Sequence, residues 1–399
     1  MNFMSTTVYT NAKLFDGKNN TVTTDAWFVV ENETGKLTEV GSNQAPTDSQ
    51  QIVDLKGQYV MPGLINCHTH ITMDPQSGDG GLGTDEIELT VRAVDNLHDL
   101  LASGVTYIRE CGSAFDIDIR LNELRKEGKI DHTPEIMTSG RPYSMTGGHG
   151  DLGHFAHLVD SPDEMRKAVR TGLKKGTQSV KVMATGGVMT PGDFMTDPQL
   201  SVEEMQTAVI EAHHKGRIIA AHAEGNPGIM NAIKAGVDSI EHGFYVTDEE
   251  ADLMIEQGTY LTPTFVADWA IPEYGRGSMP DWEIKKAADA LDDLYANIMQ
   301  AWKRGVKVTL GTDAGTPFND FTMTPVELEL MVQQGATPFE AMQTSSQNAA
   351  TLMGIQDEYG TLEAGKFADF LVLDSNPLED IKAVQQKDKA VYKKGVRMY

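Results

Sequence analysis

"MPGLINCHTHITMD" spans residues 61–74. An apolar run ends there in His68 and His70, set two apart, before the chain turns polar. In an extended strand residues i and i+2 share a face, so both imidazoles point one way and Cys67 the other. Two parallel imidazoles at the end of a buried strand are half of a metal chelate. A lone strand histidine is more often a hydrogen-bonded core residue, so the reading turns on whether other donors join the pair.

Seven further apolar runs follow: "VTYIRECG" (105–112), "EIMTSG" (135–140), "SVKVMAT" (179–185), "IIAAHA" (218–223), "SIEHG" (239–243), "YLTPTF" (260–265) and "KVTLGTDA" (307–314). With "GLINCHTH" (63–70) they make eight. Helical periodicity fills most of the gaps, as in "TDEIELTVRAVDNLHDLLASG" and "SPDEMRKAVRTGLKKG". The second carries a Ser161 cap, Pro162 at its start and Gly176 at its end. Eight strands alternating with helices predict an α/β fold, a (β/α)₈ TIM barrel over residues 61–360. The first sixty residues and the tail from 361 to 399 read instead as short strands broken by turns such as "DG" and "ENETGK". They predict a small β-sandwich domain assembled from both chain ends.

Ionisable residues recur near the ends of the runs: His68 and His70 in the first, Lys181 in the fourth, His222 in the fifth, His242 in the sixth and Asp313 in the eighth. In a barrel these ends form one rim, where the active site of that fold lies. Six such groups on one rim are hard to produce by chance. His98, His132, His213 and His214 read as surface residues of helices and loops. Lys181 stands out, because a lysine within an apolar strand is costly to bury charged. Either it pairs with a rim carboxylate, or its neutral amine has taken up carbon dioxide to become a bridging carbamate.

Composition narrows the partners. The chain has 399 residues and a formal net charge of −25, which argues against nucleic acid and anionic membrane. Two cysteines, Cys67 and Cys111, imply no disulfide framework. The N-terminus shows no signal pattern and no long apolar run occurs, so a cytoplasmic, soluble protein with a small-molecule substrate is expected. A homo-oligomer is compatible with the sequence.

"PGLINCHTH", "SVKVMATGG", "AAHAEG", "SIEHG" and "GTDAG", with "NAATLMGIQDEYGTLEAGKFADFLVLDSNPLEDI" in the tail, together resemble the amidohydrolase superfamily of metal-dependent hydrolases. "TGGHGD" (146–151) is similar to the branch of Xaa-Pro and Xaa-Arg dipeptidases and N-acyl amino acid hydrolases. The resemblance covers almost the whole chain. It implies that His68 and His70 bind one metal, His222 and His242 a second, and a carboxylated Lys181 bridges them. It implies that Asp313 touches the first metal and handles protons, and that His149 polarises the substrate carbonyl. Two zinc ions suit the nitrogen and oxygen donors, with manganese, cobalt and iron as alternatives. The implied reaction is amide hydrolysis by a hydroxide held between the metals.

Arg141 and Tyr143 are candidates for a substrate carboxylate, Arg141 having the alternative of pairing with a neighbouring acid. Free backbone N–H groups are expected near Thr185, Gly186 and Gly187, with Gly186 as a substrate contact. Asn66 stands where the family often has Asp. Glu224 stands where dipeptidase relatives often have tyrosine, and it reads as a solvated loop carboxylate rather than a contact for a cationic substrate. One rival is a mononuclear deaminase or cyclic amide hydrolase of the same superfamily. Deaminases there place a glutamate three residues after the fifth-strand histidine and lack the lysine. Glu224 comes two residues after His222, read as the wrong side of the strand for that role. The other rival is a non-catalytic binding barrel, disfavoured because all six ligand positions are filled.

Overall fold

The computed structural model describes residues 5–47, 51–77, 80–187, 193–278 and 281–399, apart from the side chains at 282, 283 and 286. Parallel strands and helices alternate through the middle of the chain. Leu64–Thr69, Val105–Glu110 and Glu135–Met137 form one sheet. Ser179–Met183, Ile218–Ala223, Ser239–His242 and Tyr260–Thr262 form a second, edged by two-residue strands at Tyr143–Ser144 and His157–Leu158. At one seam Ser179 N–H donates to the Thr138 carbonyl, 2.9 Å away.

The eighth run makes no regular strand. It is stitched in by single bonds: Leu261 N–H to the Lys307 carbonyl and Thr309 N–H to Leu261 on one side, Cys67 N–H to Leu310 and His70 N–H to Ala314 on the other. These bonds join the last parallel strand to the first. Gly311 explains the close approach, since a Cβ there would sit 2.7 Å from His68 Cβ and 2.3 Å from Thr262.

Helices surround the ring. Ser161 accepts the Glu164 N–H and opens Pro162–Lys175, which closes at Gly176 with φ 115°, as its sequence predicts. Buried leucine, isoleucine, valine and methionine side chains from strands and helices make one large core. Cys67 faces outward as expected, its Sγ 3.8 Å from Met353 Sδ among Ile65, Tyr107 and Ala349.

The chain ends meet in one eight-stranded sheet rather than two. Thr6–Leu14 is its hub, pairing with Thr23–Glu31, Gln51–Asp54 and Tyr59–Pro62. Tyr59–Pro62 passes the chain to Phe370–Leu373 and so to the C-terminal strands. Because the hub pairs with three strands, the expected sandwich appears as a continuous sheet over its own core. Tyr9, Phe28, Phe370 and Tyr392 stack there with ring centroids 4.3–5.6 Å apart. Among the described residues no helix is long and apolar enough to cross a membrane.

Candidate metal centre

The six rim groups meet. His68 Nε2 lies 3.2 Å and His70 Nε2 3.0 Å from the same oxygen of Asp313. Lys181 Nζ is 3.2 Å from His68 Nε2. His242 links the two halves, its ring 5.1 Å from His68 and 4.7 Å from His222. His68, His242 and Asp313 form one group of converging donor atoms, and His222, Glu224 and His242 another.

Each imidazole has one nitrogen committed to a partner outside the cluster. His68 Nδ1 binds Glu241 at 2.8 Å, His70 Nδ1 the Gly112 carbonyl at 2.9 Å, and His242 Nδ1 the Thr264 hydroxyl at 2.8 Å. His222 uses Nε2 instead, toward the Gly186 carbonyl at 2.9 Å. Outer partners of this kind fix the tautomer and aim the free lone pair. Burial pulls His70 below the ordinary imidazole range, and His222 and His242 well below it, which favours the neutral ring that a metal needs. Burial alone would raise the Asp313 carboxyl, but His68 and His70 hold it well down and anionic. Neutral imidazoles facing a carboxylate suit divalent cations such as zinc.

Backbone geometry contributes. His242 and Asp313 both have positive φ, 71° and 56°, a region ordinary side chains rarely adopt. At His242 this breaks the strand alternation, so adjacent Glu241 and His242 both serve the centre. Beneath them lies a buried ion pair that the sequence reading missed. Arg109 Nη2 donates to Glu241 at 2.7 Å and Nη1 to the Ser239 hydroxyl at 2.9 Å. Burial alone would raise Glu241, yet Arg109 and His68 hold it below the usual carboxylate range. The available signal was charge inside apolar runs, "YIRECG" and "SIEHG". What it lacked was the partner across the barrel.

His149 comes to the site. Its ring stacks on His222 with centroids 4.2 Å apart, and its Nδ1 is 3.2 Å from Asp193. Gly187 makes room, since a Cβ there would lie 2.4 Å from the His149 ring. Four expectations need correction. Tyr143 is buried, stacked on His157, with its hydroxyl donating to Ala168 of the flanking helix, so it points away from the centre. Arg141 takes its alternative partner, Asp116, 3.7 Å away. The Gly186 and Gly187 N–H groups are engaged, by the Asp197 carbonyl and the Asp193 carboxylate; Gly186 instead offers its carbonyl to His222.

The fourth concerns Glu224. It is 4 % exposed, on the same side of the strand as His222, with Oε1 3.8 Å from that ring's Nε2. Alternation at i+2 accounts for this placement. Burial, with the nearby charges of Asp268, Asp313 and Asp193, pushes its carboxyl well above the usual range. Asp268 is pushed up to about 8 by burial and by Asp313. Asn66 faces inward but touches no imidazole ring. Its amide donates to the Thr312 and Thr324 hydroxyls and tethers the first strand to the eighth run. The rest of "TGGVMTPGDFM", residues 188–192, lies outside the described residues.

The amidohydrolase family matches residues 59–398. The chain belongs to that family. It is an amidohydrolase-family hydrolase. It is 34% identical over 360 residues to ochratoxinase of Aspergillus niger, covering 82% of this chain and 72% of that one. The crystal structure of a Xaa-Pro dipeptidase with methionine bound in its active site superposes with a TM-score of 0.90 at 30% identity, over 98% of this chain and 99% of the other. A prolidase complexed with N-methylphosphonate-L-proline gives 0.89 at 28% identity, over 98% and 99%. The alternating parallel strands and helices and the terminal β sheet of this chain match the fold of these neighbours.

Proposed function

We propose that this amidohydrolase is a two-metal hydrolase that cleaves an amide bond of dipeptides or N-acyl amino acids. The observation that carries the reading is the convergence of four imidazoles, Lys181 and Asp313, with every imidazole held by an outer partner. His68 and His70 would hold one divalent ion and His222 and His242 the other, a donor set that suits zinc. Such a pair supplies an acidified water and a polarised carbonyl.

The chain's own residues do the remaining work. Lys181 carries a carbamate: its neutral amine nitrogen bonds the carbon of carbon dioxide and releases one proton, leaving an anion with two oxygens. Asp313, kept anionic by its histidines, accepts a proton from the attacking water and returns it to the leaving nitrogen. His149, anchored by Asp193, directs Nε2 at the carbonyl oxygen, where negative charge develops. The ochratoxinase and dipeptidase relatives support an amide or peptide bond as the target. Lys181 among the imidazoles weighs against a mononuclear deaminase.

Metal analysis and a substrate screen test this. Two equivalents of metal per chain, and turnover of some dipeptides or N-acyl amino acids, are expected. One equivalent with ring deamination would establish the deaminase. No metal and no turnover would leave a binding barrel.

A further inference from the structure

Resting on the amide-hydrolase reading, we propose that Gln199 is a positioning residue that aims the His149 ring at the substrate carbonyl. Gln199 Oε1 accepts the main-chain N–H of His149 at 2.9 Å, and its Nε2 donates to Asp193 Oδ1 at 2.6 Å. The other oxygen of Asp193 meets His149 Nδ1 at 3.2 Å. His149, Gln199 and Asp193 thus close a ring of three hydrogen bonds that starts and ends on one residue. The partners fix which way the amide faces, since a main-chain N–H only donates and a carboxylate only accepts.

Two holds on one residue do what a single one cannot. Asp193 sets the direction of the imidazole by its Nδ1 edge, which leaves Nε2 on the opposite side of the ring. Gln199 sets the main chain that carries the ring, and it also steadies Asp193, whose Oδ2 takes the Gly187 N–H at 3.1 Å as well. Gln199 is itself anchored. Its N–H donates to the Ala184 carbonyl at 2.9 Å, just past the strand Ser179–Met183, and two residues on Ser201 caps the helix Val202–His213. One side chain therefore joins the loop after the third strand to the return from the fourth. Gly148 admits it, since a Cβ there would lie 2.7 Å from Gln199 Oε1. Glutamine suits the place because one planar group carries both an acceptor and a donor. Glutamate would keep the acceptor but set a second negative charge against Asp193. Methionine would keep the length and lose both bonds.

The test uses metal-loaded enzyme and a dipeptide or N-acyl amino acid that the parent protein cleaves. Gln199→Met should lower kcat about tenfold, a fraction of the about 10²-fold that losing an oxyanion donor outright costs. KM and metal content should stay as in the parent. Gln199→Glu keeps the size and the contact to the His149 N–H, so it should fold where methionine does not, and it should lower kcat at least as much. Gln199→Met combined with His149→Asn should be no slower than His149→Asn alone, because Gln199 acts through a ring that is already gone. A merely structural role would make the two losses multiply. An unchanged kcat in both single variants overturns the inference while amide hydrolysis stands. Multiplied losses in the double variant, or loss of metal in Gln199→Glu, overturn it equally. No hydrolysis of any dipeptide or N-acyl amino acid by the parent defeats the amide-hydrolase reading itself, and the positioning role with it.

Discussion

At the scale of single residues, the site turns on what Lys181 carries. The residue is 2 % exposed and meets a histidine nitrogen, and among the described residues no acid is in ion-pair contact with its amine. A carbamate would turn that misplaced cation into an anionic ligand. Lys181→Ala should therefore lose most activity, and added acetate or propionate should restore part of it by standing in the vacated space. Full activity without additive would remove the carbamate from the mechanism. His149→Asn should lower turnover by about 10²-fold, the scale of losing one oxyanion donor, while metal content stays unchanged; loss of metal would reassign His149 as a ligand. The convergence of the six rim residues was legible in the sequence because strand alternation and rim position fix where they point. Their outer partners were not. Arg109, Glu241 and Thr264 act through contacts between strands far apart in sequence, and the positive φ of His242 overrides the alternation rule. Glu224 was misread for a simpler reason, since burial of a residue past a strand end depends on the neighbouring loops.

At the scale of elements, seven of the eight runs form strands and the eighth does not. "KVTLGTDA" has strand composition, yet Gly311 and the left-handed Asp313 bend it out of a regular ladder. The sequence shows the glycine but not the neighbours that need its missing side chain. The helix Phe265–Tyr274 shows the same limit. The buried carboxylate of Glu327 accepts the Phe265 and Val266 N–H groups at 2.9 and 2.7 Å, capping a helix that lies some sixty residues earlier in the chain. Thr264, at φ 53°, ends that turn and holds His242. Register can be checked on the opening strand. Cys67 packs toward the outer helices, so Cys67→Ala should cost about 1 kcal/mol of stability and leave kcat unchanged. A severe loss of turnover at normal stability would mean that the strand is shifted by one residue.

At the scale of the whole molecule, the outer sheet is tied to the barrel at the end away from the candidate metal centre. Glu135, opening the third barrel strand, pairs with Lys393 at 3.1 Å and Lys394 at 2.9 Å from the C-terminal strands, and with Arg125 at 2.6 Å. Lys393 also donates to the Thr133 carbonyl at 2.7 Å. Burial would raise the Glu135 carboxyl, but Lys393, Arg125 and Lys394 together lower it from 4.5 to about 2. A carboxylate depressed in the folded state stabilises the fold above its unfolded pKa, and that contribution is lost as pH falls through the folded value. The window here runs from about 4.5 down to about 2. Its upper limit is about 3 kcal/mol at neutral pH, reduced because burial also pulls the Lys393 ammonium down. Glu135→Gln should lower the unfolding free energy by about 2–3 kcal/mol at pH 7, since it leaves buried cations unpaired. The gap from the parent protein should narrow steadily as pH drops below about 4, where the parent's own carboxylate protonates. Metal content and kcat should not change, because the ion pairs lie at the opposite end of the strands from His68 and Asp313. A gap that is constant with pH would place the stabilisation in packing rather than charge. A change in metal content would show that the sheet and the metal centre are coupled through the barrel.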